Sequence, residues 1–356
     1  MSKLALPILA LLLAAGPAHA GRDVLRQQSS RQIDPAGIRG VRIENRHGDV
    51  RITESPDGRI HVTALKVVHS GSRAESQKMA ADLHVDIGTE GGALVVRARY
   101  PDRRSIRVGF WDLFHDFEVP SAEVKLGLEV PEGLAITTRT SSGDVTCDGV
   151  RGVLQIETTS GDVDVEAIPG ALGITTSSGD VDAREIGAVR LRTRSGDAEL
   201  TTVRGPVDAH TTSGNLTVHG AGDSLTLGTV SGDVEVERSA GRLAVATTSG
   251  EVKVTQSSGA IEIEASSGGV ELGVRSPLAG ARVATGSGDI ELRFERGMGA
   301  RLDLQTSNGQ LEMGSPIVVQ SLTRHRVLGQ LRQGGASVSL RTASGDIHVL
   351  TGEQGS

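Results

Sequence analysis

Apolar side chains recur along this chain with two periods at once. Within short runs they alternate with polar residues, and between runs the same pattern returns after about eighteen positions. One column reads Val145, Val163, Val181, Ala198, Leu216, Val234 and Val252. Two residues on, a second reads Cys147, Val165, Ala183, Leu200, Val218, Val236 and Val254. Nine residues after the first comes Leu154, Leu172, Val189, Val207, Leu225, Leu243 and Ile261, with Ile156, Ile174, Leu191, Ala209, Leu227, Val245 and Ile263 beside it. The positions between are mostly polar, such as Asp164, Glu166, Glu235 and Glu262. A period of two means strand. Each unit is therefore two short strands with one apolar and one wet face.

A Ser-Gly pair opens every unit, at Ser142, Ser160, Ser178, Ser195, Ser213, Ser231 and Ser249. The rhythm continues less regularly through Ser267, Ser287, Ser307 and Ser344. Two strands and two turns in eighteen residues fit one coil of a flattened solenoid. The predicted fold class is all-β: a single-stranded β-solenoid with two short strands per coil. Facing sheets about 10 Å apart suit Val, Leu and Ile. A string of hairpins, a sandwich or a propeller would not require equivalent positions to stay so alike in size. One coil cannot bury enough to order itself, so neighbours must fold together. At the corner, Gly allows positive φ, and Ser and Asp can bond nearby backbone. A threonine column precedes it (Thr158, Thr176, Thr193, Thr211, Thr229, Thr247), expected to hydrogen-bond neighbour to neighbour along the stack.

The layout predicted is a solenoid over 136–350, an N-terminal capping region over 38–135, a linker over 21–37 and a tail over 351–356. Residues 41–54, "VRIENRHGDVRITE", read as a degenerate first coil. A helix is expected across 73–85, with strands at 93–100 and 122–130. An open solenoid end exposes strand edges and needs covering. Residues 100–120, "YPDRRSIRVGFWDLFHDFEVP", hold five of the six aromatics, Phe294 being the other. They read either as a plug or as a contact surface formed by Arg103, Arg104, Arg107, Phe110, Trp111, Phe114 and Phe117; clustered exposed aromatics usually mark contact sites. A second departure, 313–336, interrupts the rhythm. No acidic residue lies between Glu312 and Asp346, while Arg324, Arg326, Arg332 and Arg341 do. It reads as a solvated loop or as a basic contact patch.

Composition narrows the function. The N-terminus "MSKLALPILALLLAAGPAHA" has the form of a secretory signal peptide over 1–20, cut before Gly21. That predicts export to the periplasm or cell surface, with no transmembrane segment after cleavage. Cys147 is the only cysteine, so no internal disulfide or multi-cysteine metal site forms. The formal charge of −7 argues against generic nucleic-acid binding. Aspartates recur at Asp144, Asp162, Asp180, Asp197 and Asp233. A calcium-binding β-roll is one alternative, but the repeating Gly-Gly pair of the nonapeptide calcium repeat is missing. A polysaccharide-cleaving β-helix is another; carboxylates abound, but none stands out as a catalytic pair. His47, His61, His69, His84 and His115 lack metal-motif spacing. No cofactor is expected.

The strand "VRIENRHGDVRITE", "LGLEVPEGLAITTRTSSGDV" (126–145), the repeats, and the closing "GGASVSLRTASGDIHV" (334–349) together resemble the bacterial candidate-adhesin family of toast-rack type, over roughly 38–350. The resemblance implies an exported β-solenoid with no assigned biochemical function. The resulting expectation is a non-catalytic structural or interaction module of the cell envelope. Its partner would be an envelope protein or an anionic polysaccharide or lipid surface.

Overall fold

The computed structural model describes residues 12–13, 23–101 and 121–352. The chain divides into two compact units, Met1–Gly170 and Ala171–Ser356. Described residues are almost wholly β, with one helix, Arg73–Asp82.

In the second unit, equivalent positions of successive repeats pair in parallel. Val181 partners Ala198, Ala198 partners Leu216, Leu216 partners Val234, and Val234 partners Val252. The second ladder runs Leu172, Val189, Val207, Leu225, Leu243, Ile261 in the same way. Along each strand buried and part-exposed residues alternate, as in Val163–Glu166 of the first unit, where Val163 and Val165 are buried and Asp164 and Glu166 exposed. Like stacked on like keeps the spacing of the dry seam constant, which explains the uniform columns.

The corner glycines have two reasons to be glycine. Gly161 has φ +120°, and a Cβ there would lie 2.3 Å from the carbonyl oxygen of Gly143 in the preceding repeat. Gly268 has φ +131° and would meet the Gly250 carbonyl at 2.0 Å. Stacked corners approach backbone to backbone, closer than any side chain permits. The opposite corner also turns left-handed, yet through Glu185 (φ +55°), Thr202 (+58°), Arg238 (+56°) and Gln256 (+51°) as well as Gly220 (+72°).

The threonine column works differently from expectation. Three of the six hydroxyls bond within their own repeat: Thr158 Oγ1 donates to the Ser160 carbonyl at 3.2 Å, Thr176 to Ser178 at 3.2 Å, and Thr193 to Ser195 at 3.4 Å. A threonine two residues before the serine is nearer to that carbonyl than to the threonine one strand away. Thr211, Thr229 and Thr247 make no such bond.

The order of stacking departs from the order of sequence at the start of the first unit and the end of the second. In the first unit, Gly40–His47 pairs with Ala135–Ser142 on one side and Ala93–Arg99 on the other. Val50–Glu54 likewise lies between Val145–Asp148 and Ser121–Val130. The stretch read as a first repeat is thus an inner one. In the second unit, Ala336–Ser344 lies between Val270–Ser287 and Ala300–Asn308. The last repeat in sequence is held on both edges, and the one before it stands outside.

Beyond these outer strands the pairing turns antiparallel. Ile60–Ser70 pairs with Ser121–Val130 and with Asp23–Ile33. Residues 23–33, expected as linker, are therefore strand for all eleven positions. His84–Glu90 pairs with Ala93–Arg99. The helix starts where Ser72 Oγ accepts the Glu75 amide at 3.3 Å and stops at Asp82, earlier than expected from sequence. It packs on Ile60–Ser70 and Asp23–Ile33; buried Ser76 bonds Ser70 at 2.7 Å, and Lys66 Nζ donates to the Ala80 carbonyl at 3.3 Å. In the second unit, Ala300–Asn308 pairs with Arg326–Leu331, which pairs with Ile317–Thr323. The stretch read as a loop is a hairpin.

Candidate functional site

In the first unit, three neighbouring strands bring charge together. Gly40–His47 lies between Ala93–Arg99 and Ala135–Ser142, so Glu44 stands directly beside both Arg97 and Arg139. Arg97 grips Glu44 through two bonds, Nε to Oε2 at 2.6 Å and Nη2 to Oε1 at 3.1 Å. Both side chains are about one-third exposed (34% and 30%). The Arg97 bond, with Arg97, Arg42 and Arg139 charge nearby, holds the Glu44 carboxyl below its usual range against the opposing effect of burial. Arg139 forks onto Glu157 at 2.8 and 3.2 Å. Arg99 pairs with Asp86.

These strands border a concavity of about 600 Å³ lined by Arg46, Arg97, Arg99 and Arg139 with Glu44, Asn45, Ala98, Tyr100, Thr140 and Ser141. Its floor is fixed by Tyr100. The phenol donates to Asn45 Oδ1 at 2.6 Å and lies against the His47 carbonyl, and the ring meets His47 edge-on at 5.2 Å. Asn45 Nδ2 in turn donates to the carbonyls of Gly48 and Val124 at 2.8 and 2.7 Å. Burial pushes the Tyr100 hydroxyl up to about 12. Sequence reading placed Tyr100 with the aromatic stretch that follows. Its role was hidden because its partners lie more than fifty residues away.

The repeated aspartates are used as acceptors between repeats. Asp162 N–H donates to Asp144 Oδ1 at 3.0 Å, and Asp197 N–H to Asp180 Oδ1 at 2.9 Å. Asn215 N–H donates to Asp197 Oδ1 at 2.7 Å, Asp233 N–H to Asn215 Oδ1 at 2.9 Å, and Glu251 N–H to Asp233 Oδ1 at 2.8 Å. One oxygen of each side chain closes the next corner. No cluster of three or more His, Cys, Asp or Glu with metal-holding geometry occurs among the described residues. Cys147 is buried, and burial raises its thiol well above the ordinary value.

Arg103, Arg104, Arg107, Phe110, Trp111, Phe114 and Phe117 lie outside the described residues, as does the stretch expected as a signal peptide apart from Leu12–Leu13. Arg324, Arg326 and Arg332 are exposed on and beside the hairpin. Arg326 is not a free cation: it forks onto Asp303 at 2.8 and 3.1 Å, and Arg341 lies 3.8 Å from the same carboxylate. The acid-free stretch thus borrows its counter-charge from the neighbouring strand. Val318 and Leu322 stand 65% and 69% exposed on the outer strand of the hairpin. Among the described residues, no helix is long and apolar enough to cross a membrane.

Solved structures with similar arrangements include a candidate adhesin from Parabacteroides distasonis, 13% identical, spanning 91% of this chain and 97% of that one, with a TM-score of 0.34. A candidate adhesin from Bacteroides fragilis is 12% identical over 90% and 96%, TM-score 0.27. A candidate lipid-binding protein from Parabacteroides distasonis is 14% identical over 90% and 96%, TM-score 0.26. No curated protein matches the chain. The Toastrack DUF4097 family matches it twice, over residues 38–242 and 223–350. The chain belongs to the Toastrack DUF4097 family.

Proposed function

We propose that this protein is an exported, non-catalytic, adhesin-like β-solenoid of the cell envelope, which works by presenting a stiff array of side chains to a partner. The observation that carries the reading is the regular parallel register of the second unit from Val181 to Val252. Each strand from Val181 to Val252 pairs residue for residue with the next. Rows of exposed side chains are thereby held at strand spacing, as where Lys253 Nζ meets Glu235 at 2.9 Å. A rigid scaffold loses little entropy on binding, which suits it to recognition. The antiparallel strands beyond the parallel ladders act as caps that keep the ends from pairing with other chains. The contact segments in this reading are 103–117, through its aromatics and arginines, and 324–332.

Sedimentation with isolated bacterial envelopes tests it. The mature chain should pellet with envelopes. A variant with Phe110, Trp111 and Phe114 replaced by serine, or with Arg324 and Arg332 replaced by glutamine, should remain in the supernatant while keeping its β spectrum. Wild-type protein that stays in the supernatant would overturn the reading.

A further inference from the structure

The arginine-lined concavity of the first unit has a chemistry that the presentation of repeats does not use. Four guanidinium groups line it against a single lining carboxylate, on a chain whose formal charge is −7. Asp86 and Glu157 reach Arg99 and Arg139 from the flanks. Arg46 has no carboxylate partner among the described residues and stands exposed at the concavity. Counting Glu90 with Glu44, Asp86 and Glu157, and Arg42 beside Glu44 with the four lining arginines, the place keeps an excess of one cation.

Two of the cations, Arg97 and Arg139, are also held in position by carboxylates. Glu44 fixes Arg97 by two bonds, and the strand bearing Glu44 and Arg46 is paired along both edges. Guanidinium groups oriented in advance recognise a planar pair of oxygens at lower entropic cost than free lysines. The lining is otherwise polar. Ser141 contributes an exposed hydroxyl, the buried Thr140 hydroxyl turns to the Ser142 carbonyl, and Ala98 is the one aliphatic side chain among the described lining residues. The Tyr100 ring is turned onto His47. Among the described lining residues, nothing offers a surface for an acyl chain or an apolar peptide side chain. A volume of about 600 Å³ greatly exceeds one small oxyanion and falls within the range of small-ligand sites.

We infer that this concavity binds an acidic oligosaccharide, with sugar carboxylates seated on Arg46 and Arg139 and ring hydroxyls meeting Ser141 and the other polar lining groups. The proposal rests on the envelope reading only for where such a glycan would be met; the chemistry belongs to the first unit alone.

Isothermal titration of the purified chain tests it, with trigalacturonate as the probe and neutral maltotriose and inorganic phosphate as comparisons. Trigalacturonate should bind with a Kd of about 100 µM at low salt and weaken as salt is raised, while maltotriose gives no heat. R46Q and R139Q should each weaken binding about tenfold, with R282Q, at an exposed arginine of the second unit, unchanged. Arg46 and Arg139 lie on different strands, so if one variant loses its thermal transition the other still reports. Absence of trigalacturonate binding, equal affinity for phosphate, or full affinity in R46Q and R139Q would each overturn the proposal. Trigalacturonate binding by a protein that fails to sediment with envelopes would leave this site standing and remove the envelope function instead.

Discussion

Tyr100 is the only tyrosine of the chain, so its ionisation can be followed on its own. Burial, outweighing its hydrogen bond to the His47 carbonyl, puts its hydroxyl at about 12. Absorbance titration of the native protein should give a midpoint near that value; one near 10, the ordinary tyrosine value, would mean that Tyr100 is not packed on His47. Asp197 separates the two readings of the aspartate column. Its Oδ1 accepts the Asn215 amide, and Asn215 does the same for Asp233. An amide oxygen therefore suffices. D197N should leave stability within about 0.5 kcal/mol, whereas D197A should cost about 1 kcal/mol for the lost bond, read by urea unfolding. Equal losses in both would restore a role for the charge. The spacing of the aspartates is plain in the sequence. Their partner is not, because the accepted N–H belongs to the next repeat and is identified only once the stack is assembled.

The strand-and-corner repeat has one corner written openly and one concealed. At the Ser-Gly corner, backbone approaches backbone so closely that only glycine fits, and the sequence shows glycine nearly every time. At the other corner the left-handed turn passes through Glu185, Thr202 or Arg238, whose side chains are exposed, so no one residue type marks it. Two substitutions divide the causes. G58A keeps a positive φ (+72°) with nothing within 4 Å, and should cost about 1 kcal/mol. G268A adds the 2.0 Å approach to the Gly250 carbonyl and should cost clearly more, above about 2 kcal/mol. Thermal melts that fall equally would show that conformation alone selects glycine. The strand Asp23–Ile33 escaped sequence reading for a related reason. "DVLRQQSSRQI" lies at a sheet margin, pairs only with Ile60–Ser70 among the longer strands, and leaves Val24 43% exposed, so it carries no alternation of apolar residues.

Taken as a whole chain, the repeats and their register were legible, while the reversal of order at either end was not. Placing Val338 beside Ala281 joins positions more than fifty residues apart through a hairpin with no eighteen-residue signal. Tying the last repeat on both edges keeps a terminus from fraying. Ion pairs shape the response to acid. The carboxyls of Glu44 and Asp208 are both depressed, chiefly by their bonds to Arg97 and Arg192. A depressed carboxyl stabilises the fold fully above its unfolded value of about 4 and ceases to do so as pH falls through its folded value. Stability should therefore hold at neutral pH and decline below about pH 4, and E44Q with D208N should flatten that decline in urea midpoints taken from pH 7 down to pH 3. An unchanged slope would show that these pairs contribute nothing. The stacking itself is tested most directly by paired cysteines on the wet face. Glu235 and Lys253 are lateral neighbours, and adjacent strands stand about 4.8 Å apart, within disulfide reach. E235C with K253C should oxidise to a disulfide readily in the folded chain, and E235C with E251C, displaced two positions along the strand, should not. Preferential bonding to position 251, or none at 253, would contradict an eighteen-residue register.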